Sequence, residues 1–305
     1  MKVLVTGVTG FLGAAVVPRL LRDGHSVRGF ARDRARVTVP VPTVEGDAVS
    51  GSGLARALDG IDVAYYLIHS MEPAAADPFF AERERIAAER FAATAAAAGV
   101  RRIVYLGGVI PTDGASSAHL ASRLGVEQVL LERVPDSVAF RASIVIGAHS
   151  RSFRFLVRLV ERLPVLAVPA WHVNRSQPID ERDIVELLAR AATNDTVGGL
   201  SLDVGGHDVV SYGDLIDRIR EQMLLDRPTV SFKRLTVTPI ASRIAALVAG
   251  ERYELIGPLM ESLDTDLLSR DCRAVELLGV RLHSLDAAIE HALRVWEASE
   301  PLAAR

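Results

Sequence analysis

The residues best suited to chemistry lie at the start of the chain, in TGVTGFLG (6–13). Gly7, Gly10 and Gly13 recur every three residues, behind the apolar run KVLVT and ahead of a stretch of helical period, Phe11 to Arg22. Glycine lets a backbone turn tightly and approach a ligand with no Cβ in the way. The first N–H groups of the following helix have no intrahelical partner, and the helix dipole adds positive potential there. A phosphate is the natural ligand of such a turn. Without a ligand it is a tight strand-to-helix connection and nothing more.

The next strand, HSVRGFA (25–31), runs into GFARDRAR. In dinucleotide-binding turns the end of this strand selects the cofactor: an acidic residue grips a ribose 2′-hydroxyl, and an arginine accommodates a 2′-phosphate. Arg32 stands where the strand should stop, which favours NADP. Asp33 keeps NAD possible, and Arg34 and Arg36 follow. The plainer alternative is a turn of solvated charges.

Alternating elements must position these residues. Strands are expected at 2–6, 25–31, 43–45, 63–68, 101–107 and 137–143, with helices at 11–22, 54–58, 78–98 and 118–132 between them. Strict strand–helix alternation implies right-handed crossovers and a parallel sheet covered on both faces. The fold class is therefore α/β, a doubly wound parallel sheet of the Rossmann type. Beyond Gly147 the pattern loosens, with helices expected at 152–163, 181–192, 212–223, 238–263 and 284–298 and short strands at 177–179 and 200–206. We divide the chain into a dinucleotide-binding domain, 1–150, and a smaller, mostly helical portion, 151–305, partly woven into the first and facing substrate or partner.

Composition narrows the classes. With 305 residues, 49% hydrophobic and 24% charged, the chain is long enough for a large core. A net charge of −3 gives no reason to expect nucleic acid. No charge-free apolar run reaches bilayer-spanning length, and no secretory signal is visible. The single cysteine, Cys272, fits a reducing cytoplasm. No His/Cys/Asp/Glu set has metal-ligand spacing. Of 35 basic residues only Lys2 and Lys233 are lysine. Any mechanism needing a lysine therefore has two candidates, because arginine effectively never loses its proton.

The glycine motif, GD (46–47), YLGG (105–108), FRASIVIG (140–147), QPID (177–180) and DVGG (203–206) together resemble the extended and atypical short-chain dehydrogenase/reductase superfamily. The likeness covers most of residues 1–215 and is nearest to its NAD(P)H-binding, NmrA-like and isoflavone-reductase-like group. It implies that Gly7, Thr9, Gly10, Phe11, Leu12 and Gly13 wrap a pyrophosphate. It implies that Arg32 meets the adenosine ribose phosphate and that Asp47 approaches the adenine amino group. Ile68 and His69 would lie beside the cofactor ribose, with Ala142, Ser143 and Ile144 along the nicotinamide.

The chain departs from that superfamily where its chemistry resides. Active members carry a Ser at the end of the fifth strand and a Tyr-x-x-x-Lys pair on the next helix. Here Gly107 and Gly108 stand at the Ser position, and the helix reads SSAHLASRLGVE. His119 and Arg123 fit the Tyr/Lys spacing best. Arg123 can supply fixed charge and hydrogen bonds, whereas His119 can act as acid or base, or be an ordinary helix residue. Ser116 and Ser117 read as an N-cap. Tyr65, Tyr66 and Tyr105 read as core. Arg151, Arg154, Arg158 and Arg162 form one helical face, read as solvated, with an anion site as the alternative. Trp171 and His172 could line a substrate cavity. Two functions follow: an NADPH-dependent reductase of a small carbonyl or quinone-like acceptor, or a non-catalytic NAD(P)(H)-binding sensor or assembly protein with a regulatory partner. A nucleotide-sugar epimerase or dehydratase is disfavoured, since it leans on the same missing tyrosine. Oligomeric state is not legible.

Overall fold

The computed structural model describes residues 1–68, 79–111, 114, 117–162, 166–168, 170–225, 229–231, 265–300 and 302. His69, Ser116, Lys233 and the helix expected at 238–263 lie outside them.

Seven strands form one parallel sheet: β1 (Lys2–Thr6), β2 (Ser26–Ala31), β3 (Thr43–Glu45), β4 (Val63–Tyr66), β5 (Arg102–Gly108), β6 (Val138–Ala142) and β11 (Ser201–Val204). Their order is β11-β6-β5-β4-β1-β2-β3, and every pairing is parallel. The chain winds outward from β1 to β3, returns to β4, then winds the other way. The reversal leaves a crevice at the C-terminal ends of β1 and β4, where open α/β sheets bind ligands.

Burial follows the strand period of two. Val3, Val5, Tyr65, Val104, Leu106, Val138 and Phe140 pack on one face, beneath α1 (Phe11–Arg22) and α6 (Glu181–Ala191). Leu4, Ala64, Tyr66, Ile103, Tyr105 and Ala139 pack on the other, beneath α2 (Leu54–Leu58), α3 (Phe80–Ala97) and α4 (Ala118–Arg133). Alternate residues are apolar on both faces because helices exclude water from both. The tyrosines are core, as expected. The Tyr65 hydroxyl donates to Leu188 O at 2.8 Å, while Tyr66 and Tyr105 rings meet at 6.2 Å.

A separate apolar cluster joins α5 (Arg151–Arg162), α7 (Tyr212–Gln222) and α9 (Leu285–Glu297), which follows the short α8 (Arg273–Leu278). Here half of the arginine face of α5 departs from expectation, while Arg151 and Arg162 are exposed as expected. Arg154 and Arg158 lie over the Trp296 ring at 4.2 and 4.8 Å and both pair with Glu300. They clamp the last helix instead of facing water. Their amphipathic stems cover indole surface while carboxylates meet their charge. Trp171 is likewise buried, edge-on to Tyr212 at 6.0 Å.

The sequence reading omitted α8 and the short strands β7 (Val145–Ile146), β8 (Leu166–Val168) and β9 (Arg175–Ser176); β7 pairs in parallel with β10 (Ile179–Asp180). The expected strand at 177–179 is shifted onto the last residues of QPID. Gln177 instead spends its side chain on loops: its amide donates to Gly206 O and accepts from Ser269 N.

Candidate functional site

Each glycine of the turn is required for a different reason. Gly7 has φ +64, and a Cβ there would lie 2.3 Å from Leu67 O at the end of β4. Gly10 precedes α1, gives Gly7 O its N–H at 2.8 Å, and offers no side-chain cap. Gly13 sits inside α1, where a Cβ would lie 2.2 Å from Gly7 O. The helix start therefore rests directly on the turn. Neither a capping side chain nor an acidic residue in the first turn competes for its N–H groups. Thr9 and Gly10 are exposed, and Phe11 and Leu12 half-buried. Thr6, missed in the sequence, is buried and stitches the crevice: its hydroxyl donates to Tyr65 O and accepts from Leu67 N.

At the end of β2, Asp33 turns to its own backbone. Its Oδ1 accepts from Ala35 N at 2.9 Å, capping a single helical turn, Arg34–Arg36. Arg32, Arg34 and Arg36 are exposed around it. Asp47 is also committed locally, accepting from Ser50 N at 2.8 Å. Ile68 is half-buried just past β4. Ala142 ends β6, and the Ser143 hydroxyl donates to Gln177 O and accepts from Ser176. Ile144 belongs to the C-terminal apolar cluster.

The β5–α4 side is built differently. Gly107 and Gly108 close β5. Ser117 caps α4, accepting from Leu120 N. His119 stacks on the Phe80 ring at 6.1 Å. Desolvation first, and the Arg123 charge second, lower its pKa to about 4, so the imidazole is neutral at neutral pH. Arg123 is 5% exposed and pairs at 3.4 Å with Glu84 of α3, also 5% exposed. Glu84 further accepts from the Ser122 hydroxyl at 2.6 Å. The Arg123 carbonyl accepts from the buried Tyr105 hydroxyl at 3.2 Å. The arginine thus ties α4 to α3 and β5. Lys2 lies at the opposite, N-terminal end of β1, with its backbone N–H on Asp62.

Another titratable group stands near the turn, and the sequence reading passed over it. The β7–β10 pairing sets Glu181 beside Gly147. A Cβ on Gly147 would lie 1.9 Å from Glu181 Oε2 and 2.6 Å from the ring edge of Phe11.

Comparison with known proteins agrees with this architecture. Residues 7–127 match the model of the NAD(P)H-binding family. A 3-beta-hydroxysteroid dehydrogenase of Mycolicibacterium neoaurum is 44% identical over 71 residues, 21% of this chain and 18% of that protein. A (4-alkanoyl-5-oxo-2,5-dihydrofuran-3-yl)methyl phosphate reductase of Streptomyces griseus is 39% identical over 107 residues, 34% of this chain and 33% of that protein. The aligned stretches thus span a third or less of these relatives. Among solved structures, a UDP-glucose 4-epimerase from Thermotoga maritima superposes with a TM-score of 0.76, covering 98% of this chain and 99% of that one at 14% identity. At that identity the likeness is one of fold. No described helix is long and apolar enough to cross a membrane. The chain is thus built on a Rossmann-type parallel sheet, and the part of it that carries the glycine turn matches the NAD(P)H-binding family.

Proposed function

We propose that this chain is an NAD(P)(H)-dependent oxidoreductase that reduces a small carbonyl or quinone-like acceptor, preferring NADP(H). The observation that carries the reading is the turn itself. Gly7 and Gly13 leave no room for a side chain, and Gly10 leaves the start of α1 uncapped, facing the crevice at the chain reversal. In this reading Gly7, Thr9, Gly10, Phe11, Leu12 and Gly13 hold the pyrophosphate. Arg32 holds the 2′-phosphate, while the Asp33 carboxylate is turned to its own backbone and caps the next turn. Asp47 and Ile68 line the adenosine and ribose side, and Gly107, Ala142, Ser143 and Ile144 the nicotinamide side. Dehydrogenase and reductase names among the partial relatives point to the same reaction class.

When bound, the nicotinamide supplies or accepts the hydride. The chain's own groups position and exclude water. His119, held neutral, offers a hydrogen bond to an acceptor oxygen but little acid strength. Arg123 positions α4 through Glu84. The proton that completes reduction comes from water, a route open to a quinone-like acceptor.

The buried Arg123–Glu84 pair also favours a second reading, a non-catalytic NAD(P)(H)-binding protein with a regulatory partner. One experiment opens both questions: calorimetric titration with NADPH, NADP+, NADH and NAD+, followed by a carbonyl and quinone panel. Preferred binding of the phosphorylated pair, weakened about tenfold by Arg32→Ala, is the expected result. Binding without turnover on any acceptor selects the second reading. No binding to any of the four defeats both.

A further inference from the structure

Glu181 is the least explained carboxylate among the described residues. It opens α6, directly after the N-cap Asp180. Its Oε2 is buried with no hydrogen-bond partner, which is uncommon for a carboxylate oxygen. The oxygen fills the space that a side chain on Gly147 would need, against the ring of Phe11. Phe11 begins α1, and Gly147 follows the 142–144 run. The carboxyl group therefore sits between the two strips proposed above to hold the cofactor.

The surroundings do little to hold a negative charge there. Of its neighbours on α6, Arg182 is spent on Asp180, with Nε–Oδ1 and Nε–Oδ2 distances of 3.0 and 3.1 Å. Asp183 faces His283 at 2.6 Å. From the segment after β7, the Ala148 N–H donates to Glu181. From α1 comes the apolar ring of Phe11, while Arg19 is committed to Glu186 and Asp23 farther along. From α9, His291 senses Arg182 and Asp180, and burial lowers its pKa. Desolvation first, and the Asp180 charge second, push the Glu181 pKa up to about 7.

We infer that Glu181 couples nucleotide binding to proton uptake: its carboxylate in the free protein becomes the neutral acid when a pyrophosphate occupies the turn. The inference rests on the cofactor reading above. The physical reason is that a second anion brought to the same desolvated wall disfavours the ionised form. A bound pyrophosphate must then raise the carboxyl pKa, and by linkage the affinity must rise as pH falls. Each unit of that rise makes the low-pH affinity about tenfold tighter than the high-pH limit.

The test is isothermal calorimetry on the full chain at pH 7 in two buffers of different protonation enthalpy, with NADH and with NADPH. NADH carries no 2′-phosphate to titrate on its own. The wild-type chain is expected to take up a substantial fraction of about half a proton per NADH bound, and to bind about fivefold to tenfold more weakly at pH 8 than at pH 6. Glu181→Gln fixes the neutral shape. It should bind at the wild-type low-pH affinity, with no uptake and no dependence on pH in that range. The difference between wild type and variant also removes the nucleotide's own titration, so NADPH alone suffices if NADH binds weakly. Nucleotide binding without proton uptake overturns this inference and leaves the cofactor reading intact. Uptake that persists in Glu181→Gln overturns it as well, by assigning the proton to another group. No binding of either nucleotide removes both. If the variant does not fold, the wild-type proton count with NADH decides alone.

Discussion

The two sides of the crevice each place glycine at the end of a strand, with opposite meaning. After β1, a Cβ on Gly7 would strike a backbone carbonyl, and one on Gly13 would strike the turn itself. Backbone cannot step aside, so glycine is obligatory. At the end of β5, a Cβ on Gly107 would come nearest the Tyr105 side chain, at 3.0 Å, and one on Gly108 nearest Leu120 Cδ2, at 2.9 Å, among the described residues. Neither residue has positive φ. The fold does not forbid a larger residue there as it does at Gly7. The difference teaches that the turn's geometry is locked by sterics, whereas the β5–α4 side is held by side-chain packing and a buried ion pair.

Breaking the buried pair should have the largest effect. Glu84→Ala takes the buried carboxylate away from Arg123 and should cost about 3–5 kcal/mol in urea unfolding. Replacing both with apolar residues, Glu84→Leu with Arg123→Met, should recover most of it. If the double variant also binds nucleotide as tightly as wild type, Arg123 is purely structural. A lost affinity would bring Arg123 back to the cofactor.

His119 tests the same side by pH. Its folded pKa, about 4, lies below the ordinary 6.5, so the unfolded chain binds more protons between those values. Stability from this residue is present above pH 6.5 and is lost as pH falls towards 4, by up to about 3 kcal/mol. Glu181, raised to about 7, acts oppositely: the folded chain holds more protons between 4.5 and 7, and stability falls as pH rises through that window. Unfolding midpoints of His119→Phe at pH 4.5, 5.5 and 6.5 should show the acid loss removed and the opposing slope exposed. An unchanged acid limb would show that His119 is not the group responsible.

On the turn side, Gly13→Ala forces α1 off the turn. We expect a loss of about 2 kcal/mol in stability and a fall of about tenfold or more in nucleotide affinity, since the N–H groups move with the helix. Gly108→Ala, against a flexible leucine, should do less on both counts. Reversal of that order would remove the contrast between the sides.

The smallest effect is expected at Asp33. Asp33→Ala should cost about 1 kcal/mol as a lost cap and leave the NADPH-over-NADH ratio unchanged. A shift of that ratio would return Asp33 to the ribose.

Local patterns made much of this legible in the sequence. The strand–helix alternation of residues 2–142 is written in short-range hydrophobic period, and β3, α1 and α2 fall where that period puts them. The glycine turn is readable because its requirement is a backbone property of a few consecutive residues. Ser117 and the core tyrosines follow from equally local rules.

Tertiary structure alone decided the partners of the charged groups. Arg123 meets a carboxylate 39 positions earlier, on a different helix. Arg154 and Arg158, which read as a solvated face, meet Trp296 and Glu300 from the far end of the chain. Glu181 reaches Gly147 only through a two-residue strand pairing too short to leave a pattern. An ion pair or an orphaned oxygen depends on which distant segment packs opposite, and helical or strand period carries no information about that choice. The sequence by itself determined the sheet, its crevice and the turn. Packing determined which of the titratable groups around them are spent on stability and which, like Glu181 with its orphaned Oε2, are left beside the crevice with an oxygen unsatisfied.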